Sequence, residues 1–174
     1  MPQKNVLLTG PPGVGKTTII QKVAKELGDR AAGFYTVETR SGGQRTGFRI
    51  VTLDGREADL AKVGSGAGPR VGRYVVDLIG IEQVAVPSVL YGLAEGKVIV
   101  VDEIGKMELY SVAFRNAVLR ALSSPIPVIA TIMERPNDFC DMVKGRPDVV
   151  LFSTSLNNRN EMPARILGLL RTYL

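Results

Sequence analysis

Histidine is absent from this 174-residue chain and cysteine occurs once. Disulfides, thiolate zinc sites, Cys/His dyads and any mechanism that needs an imidazole are thereby excluded. Chemistry is left to carboxylates, Lys, Arg, hydroxyls, backbone amides or a hard metal ion. Long hydrophobic runs are missing too, since no apolar stretch approaches the ~20 residues of a membrane helix. Residues 1–5 lead into an apolar stretch that is too short for a signal peptide and is followed by glycines rather than a cleavage site. These features predict a cytoplasmic protein with no membrane association. Hydrophobic residues at 45% and charged residues at 22% are the proportions of a soluble globular fold. The length predicts a single domain over residues 1–174.

The formal net charge of +5 is concentrated in one segment. Between Arg40 and Arg73 stand Arg40, Arg45, Arg49, Arg56, Lys62, Arg70 and Arg73, against Asp54, Glu57 and Asp59. Such a surplus suits an anionic partner without identifying one, and the simpler reading is a solvated hairpin face.

Apolar residues 6–8 end in Thr9-Gly10, and residues 16–27 place Ile19, Ile20, Val23, Ala24 and Leu27 at helical spacing before Gly28. The pattern is strand, glycine-rich loop, helix. From 33 to 63 the period falls to two, with turns at Ser41-Gly42-Gly43 and Asp54-Gly55, which predicts an antiparallel meander. Residues 64–69 read as a surface loop, because no strand leads into their glycines as a phosphate loop requires. A short strand at 74–76 is followed by a helix over 81–94, in which Pro87 must kink the axis or delay its start. Residues 98–101 are continuously β-branched, as in a strand buried on both faces. A helix at 111–122, a strand at 128–132, a short helix after Pro136-Asn137, a strand at 149–152 and a helix from 161 toward 174 complete the alternation. The predicted class is α/β: a mainly parallel sheet covered by helices on both faces, carrying an antiparallel meander insertion.

Gly10-Pro11-Pro12-Gly13-Val14-Gly15-Lys16-Thr17 matches G-x-x-x-x-G-K-[ST]. With this chain's residue frequencies an accidental match has a probability of roughly one in a hundred. Its place between a strand and a helix lets backbone amides close around phosphate oxygens at the positive end of the helix dipole. Lys16 should then reach the β and γ phosphates, and the Thr17 hydroxyl should bind magnesium. A further carboxylate is needed for the ion, and Asp102, closing the 98–101 run, would supply it. Glu103 would point to the other side of the strand end and is the best candidate for a general base in a chain without histidine. Lys106 would either neutralise charge on the terminal phosphate or pair with Glu108 at the surface. Thr131 would lie next to Asp102 if the two strands pair, where it could bond the γ-phosphate or the attacking water. Arg135 follows it, but is not distinguished from Arg40, Arg45, Arg49 or Arg73 as a source of charge for the transition state. Asn158 and Arg159, in the run Asn157–Asn160, suit contact with a nucleobase, although Asn is equally a turn residue.

The segments from Leu8 to Thr18, Gly33-Phe34-Tyr35-Thr36, Thr46-Gly47-Phe48, Val101 to Leu109 (VDEIGKMEL) and Asn158-Arg159 together resemble the THEP family of small nucleoside triphosphatases, called cancer-related nucleoside triphosphatase in animals. The matches run in order through nearly the whole chain. The resemblance implies a three-layer, RecA-like P-loop NTPase fold and slow hydrolysis of several nucleoside triphosphates with magnesium. It also implies that Gly10, Pro11, Pro12, Gly13, Val14, Gly15, Lys16, Thr17 and the neighbouring Thr18 face the nucleotide, as do Ile99, Val100, Val101, Asp102, Glu103, Ile104, Gly105 and Lys106. The expected partners are nucleoside triphosphates, and the expected state is a monomer. Two other readings compete. A small-molecule kinase would usually carry an arginine-rich lid, whereas here the basic segment precedes the second carboxylate strand, which favours transfer to water. A nucleic-acid-binding switch rests on charge alone.

Overall fold

The computed structural model describes residues 2–174. Nine strands form one sheet, and its two halves follow different rules. The parallel half contains β1 (Asn5–Thr9), β7 (Val98–Ile104), β8 (Val128–Ile132) and β9 (Val149–Ser153). In the antiparallel half are β3 (Gln44–Thr52), β4 (Glu57–Val63), β5 (Arg70–Val71) and β6 (Tyr74–Val76). Strand β2 (Ala31–Ser41) belongs to both: Ala31 to Phe34 run parallel to β7, and from Phe34 onward it pairs antiparallel with β3. The sheet order is β5-β6-β4-β3-β2-β7-β8-β1-β9. The meander is therefore an extension of the same sheet.

Strands covered on both faces must be apolar on both, which explains the unbroken Val98-Ile99-Val100-Val101 run. Ile99 and Val101 enter a core that also holds Phe34, Phe114 and Val89, while Val98 and Val100 enter the opposite core with Ile19, Ile20 and Val23. Helix α1 (Lys16–Leu27) buries its predicted apolar stripe in this second core, where it packs beside α6 (Met162–Leu170). The first core is covered by α3 (Val86–Glu95), α4 (Val112–Ser123) and α5 (Asp138–Lys144). Side-chain caps start two of these helices: Ser111 Oγ accepts from the Phe114 amide at 3.1 Å and Asn137 Oδ1 from the Cys140 amide at 3.2 Å.

The helix expected over 81–94 begins earlier. Asp77 caps α2 (Leu78–Gly80) through the Gly80 amide at 3.0 Å, and the chain passes into α3 through a π-helical stretch over Ile81–Ala85. Pro87 sits in the first turn of α3; it has no N–H to give, and the wider bonding just upstream, with the Val86 amide on the Ile81 carbonyl, accommodates it. The whole run Leu78–Glu95 has a mean hydropathy of 1.2, long and apolar enough by composition to cross a membrane. Its Val86, Ser88, Val89 and Gly92 face is instead buried against the sheet and α4. At the other boundaries β7 extends to Ile104, α6 stops at Leu170, and β5 is a strand that the sequence pattern did not signal.

Candidate active site

All five parallel strands end on the same edge of the sheet, the edge at which α/β folds bind ligands. Strand β8 lies between β1 and β7, so the glycine-rich loop after β1 and the carboxylates ending β7 flank Thr131 of β8. The loop is shaped by close approach. Gly10 has φ +146°, and a Cβ there would stand 2.6 Å from the Thr154 carbonyl oxygen, so only glycine fits. Gly15, at φ 108°, caps α1 in the left-handed conformation. Lys16 arches back over the loop, its Nζ donating to the Gly10 carbonyl at 2.6 Å and the Pro11 carbonyl at 3.1 Å.

Two hydroxyls converge on one carboxylate. Thr17 Oγ1 donates to Asp102 Oδ2 at 2.7 Å, and Thr131 Oγ1 donates to Asp102 Oδ1 at 2.6 Å. Asp102 is only 3% exposed. Burial pushes its carboxyl above the usual range, and the Thr131 and Thr17 hydroxyls, the Thr36 amide and the Lys16 charge pull it part of the way back.

Strict strand alternation would send Glu103 away from Asp102. The β7–β8 register shifts between Val101 and Ile104, and both carboxylates line one cavity of about 600 Å³. Gly105 lies under the Glu103 side chain, where any Cβ would collide with its carboxylate. Burial first, then the charge of Asp102, raises the Glu103 carboxyl, with Lys16 opposing. A third acid shares the cavity. Glu108 opens a 3₁₀ turn (Glu108–Tyr110) and is buried; burial and then the Glu103 charge push its carboxyl well above the usual range. The far wall of the cavity is built by the meander, through Thr36, Val37 and Glu38 of β2, Phe48 of β3 and Leu60 of β4. A larger cavity of about 850 Å³ opens at the opposite end of the parallel strands, by Gly28, Ala31 and Lys97; Gly33 and Tyr35 line it, but none of the phosphate-loop residues or the carboxylates Asp102, Glu103 and Glu108 does.

Comparison with known proteins agrees with this geometry. The sequence model of the family described as NTPase matches residues 5–167. The chain is 48% identical to "Nucleoside-triphosphatase THEP1" of Thermofilum pendens, over 95% of this chain and 94% of that one. It is 42% identical to the human "Cancer-related nucleoside-triphosphatase", over 91% and 92% of the two chains. The crystal structure of THEP1 from the hyperthermophile Aquifex aeolicus superposes with a TM-score of 0.90 at 37% identity, covering 96% of this chain and 99% of that one. The chain belongs to the THEP1 nucleoside-triphosphatase family. Its fold is the three-layer α/β arrangement of P-loop NTPases.

Within this THEP1 fold the expected residues divide into three groups. Pro12, Gly13, Gly15, Lys16, Thr17, Thr18, Asp102, Glu103 and Lys106 line the cavity; Thr131 does not, because it is fully buried with its hydroxyl on Asp102, so the expected bond to the γ-phosphate or the attacking water gives way to a contact with Asp102. Gly10, Pro11 and Val14 belong to the loop without lining the cavity: Gly10 and Val14 are buried and Pro11 is exposed. Ile99, Val100, Val101 and Ile104 line no cavity: each is 0–1% exposed, because a strand covered on both faces sends every side chain into a core. Of the stretch 99–106, Asp102, Glu103 and Lys106 line the cavity, with Gly105 against the Glu103 side chain.

Asn158 is occupied within its own turn. Its Oδ1 accepts from the Ser155 amide and its Nδ2 donates to the Ser153 carbonyl, both at 2.8 Å. Arg159 lies against the phosphate loop, its Nη1 donating to the Val14 carbonyl at 3.3 Å and its Cδ facing Gly15. Arg135 is exposed and apart from the cavity. The surface pair weighed for Lys106 and Glu108 does not form, since Glu108 is buried while Lys106 is exposed at the cavity rim. The basic segment is a partly solvated ion-paired face: Arg40 and Arg45 hold Glu38 at 2.9 and 2.5 Å, and Arg49 holds Asp59 and Glu57 at 2.9 and 3.2 Å. Sequence reasoning missed the burial of Glu108, whose only signal is an acid between the apolar Met107 and Leu109. It also missed the meander wall, for which strand periodicity carries no signal.

Proposed function

We propose that this site hydrolyses nucleoside triphosphates to the diphosphate and phosphate with magnesium, with little selectivity among the bases. The observation that carries the reading is the convergence of Thr17 and Thr131 on Asp102 with Glu103 beside it in the same cavity. Magnesium fits the donor set: a hydroxyl and a carboxylate are hard oxygen ligands already in contact, and this ion is usually completed by water and substrate phosphates. Thr17 and Asp102 would hold it. When bound, it neutralises charge that develops on the phosphate chain.

The loop amides and the α1 N-terminus bind phosphate oxygens, and Lys16 exchanges its loop carbonyls for them. Glu103 orients water and takes its proton. Thr131 fixes the Asp102 carboxylate, and Lys106 at the rim adds positive charge toward the terminal phosphate. Low base selectivity is supported by Asn158, whose amide atoms are engaged within its own turn. Pairing of the arginines with Glu38, Glu57 and Asp59 weakens the nucleic-acid reading.

The test is phosphate release from ATP, GTP, CTP and UTP across a magnesium titration, for the parent and Asp102→Asn. All four should be hydrolysed, and the variant should need more magnesium. Absence of release from every nucleotide would sink the assignment, and superimposed titrations would remove Asp102 from the metal site.

A further inference from the structure

The cavity does not end at the carboxylates. Across the sheet order from the phosphate loop, β1 leads to Lys16 and Thr17, β8 carries Thr131, and β7 carries Asp102 and Glu103. Beyond β7 the wall becomes mainly apolar, with Val37 of β2, Phe48 of β3, Leu60 of β4 and Val71 of β5, closed by Met107, and with Thr36 and Glu38 of β2 as its polar members. Arg159 stands on the opposite flank, against Gly15. The base thus has the phosphate loop on one side and an apolar compartment on the other. The compartment wall is packed from behind: Leu60 is 3% exposed, and the Phe48 ring meets Tyr74 edge-on at 5.2 Å, with the Arg45 guanidinium over it at 5.4 Å. At its rim Glu38 is fixed by Arg40 and Arg45.

Water needs no such surface. Apolar side chains next to a reacting phosphoryl group solvate water poorly and favour a nucleophile that brings an apolar body of its own. The cavity of about 600 Å³ spans the phosphate loop and the meander wall together, so the nucleotide's phosphates take one part of it and the apolar compartment is the remainder. We infer that the meander wall is an acceptor subsite, which takes a small hydroxyl-bearing molecule with an apolar body and presents its hydroxyl to Glu103, so that phosphoryl transfer to that hydroxyl competes with hydrolysis. This rests on the phosphoryl-transfer reading above. In the step the acceptor oxygen forms a bond to the γ-phosphorus. The bond from that phosphorus to the β,γ-bridging oxygen breaks, and its electron pair leaves with the nucleoside diphosphate. The hydroxyl proton passes to Glu103 and on to solvent. The products are a phosphate monoester and the diphosphate.

The experiment gives the full chain ATP and magnesium in the presence of equal concentrations of methanol, 1-butanol or benzyl alcohol. Phosphate monoester and inorganic phosphate are read in the same tube by phosphorus NMR. The ester-to-phosphate ratio should rise from methanol to benzyl alcohol by about tenfold or more, as burial of several carbons dictates. Phe48→Ser, and independently Val71→Ser, should bring the benzyl ratio down toward the methanol value; the ratio is internal to each tube and does not depend on how much protein is folded. Inorganic phosphate alone with every alcohol, or a ratio indifferent to alcohol size, overturns the acceptor subsite while leaving hydrolysis standing. No phosphorus product of either kind overturns phosphoryl transfer itself.

Discussion

The two ends of the parallel strands each bury carboxyl groups, and the two ends treat them in opposite ways. At the N-terminal end Asp148 receives the Arg146 guanidinium through two bonds of 2.9 Å, with Lys4 at 3.5 Å and the Asn5 amide at 3.2 Å. The Arg146 bonds hold its carboxyl below the usual range. Asn5 continues the network to the Leu122 carbonyl and the Val128 amide, tying β1 to β8 and α4. At the C-terminal end Asp102, Glu103 and Glu108 crowd together and burial raises all three. Lys16, the cation that opposes the rise at Asp102 and Glu103, bonds to loop carbonyls. A carboxyl that the fold's cations hold below its usual range contributes stability while it is charged, whereas carboxyls crowded against one another are a cost that function has to justify.

The sharpest way to break this contrast is Glu103→Gln. Nucleotide affinity should stay within a few-fold while kcat falls by ~10² to 10⁴, the contribution of a positioned base; calorimetry and single-turnover hydrolysis on one preparation check it. Folding stability should hold or rise, because the change removes a like charge from beside Asp102 and Glu108. Near-normal hydrolysis would move the base elsewhere, with Glu108 next.

A smaller loss is expected for Gly105→Ala, which displaces the Glu103 carboxylate without altering its chemistry. About 10²-fold in kcat is the scale of such a misplacement, with KM little changed, and steady-state kinetics would show the split. A parallel rise in KM would mark the effect as general distortion.

Asp148→Asn inverts the pattern: hydrolysis per folded molecule should be normal, and urea unfolding should show a loss of about 1–3 kcal/mol. The pH sign follows from the lowered carboxyl. Stabilisation by Asp148 is complete above the unfolded value of about 3.9 and drains away as pH falls through the lower folded value. The parent should therefore weaken steeply below about pH 4, and the variant less so. Equal acid sensitivity of the two would remove Asp148 from the account. The least effect is predicted for Arg49→Gln, since exposed pairs contribute about 0–1 kcal/mol; kcat and KM should remain within a few-fold. A fall of ~10³ would reveal an arginine acting on the phosphoryl group.

Much of this is legible in the sequence alone. The glycine-rich loop needs its residues in fixed order along a single turn, so Gly10 to Thr17 announce themselves. A doubly buried strand must be continuously apolar, so residues 98–101 and the carboxylates that end them stand out. Pairing of Thr131 with Asp102 was a conditional expectation, settled by β7 and β8 being neighbours. Local pattern and spacing determine these elements because their requirements are met within a few consecutive residues. Tertiary structure decided the rest. Whether Glu103 shares the Asp102 cavity depends on a register shift between two strands, whether Glu108 is buried depends on what packs over the turn, and whether Asn158 is available depends on its neighbours' amides. The meander became the wall of the site because β2 pairs with two partners at once. Apart from Asn158, whose partners lie three and five residues away in its own turn, each of these turns on contacts between residues far apart in the chain, which periodicity in the sequence does not encode.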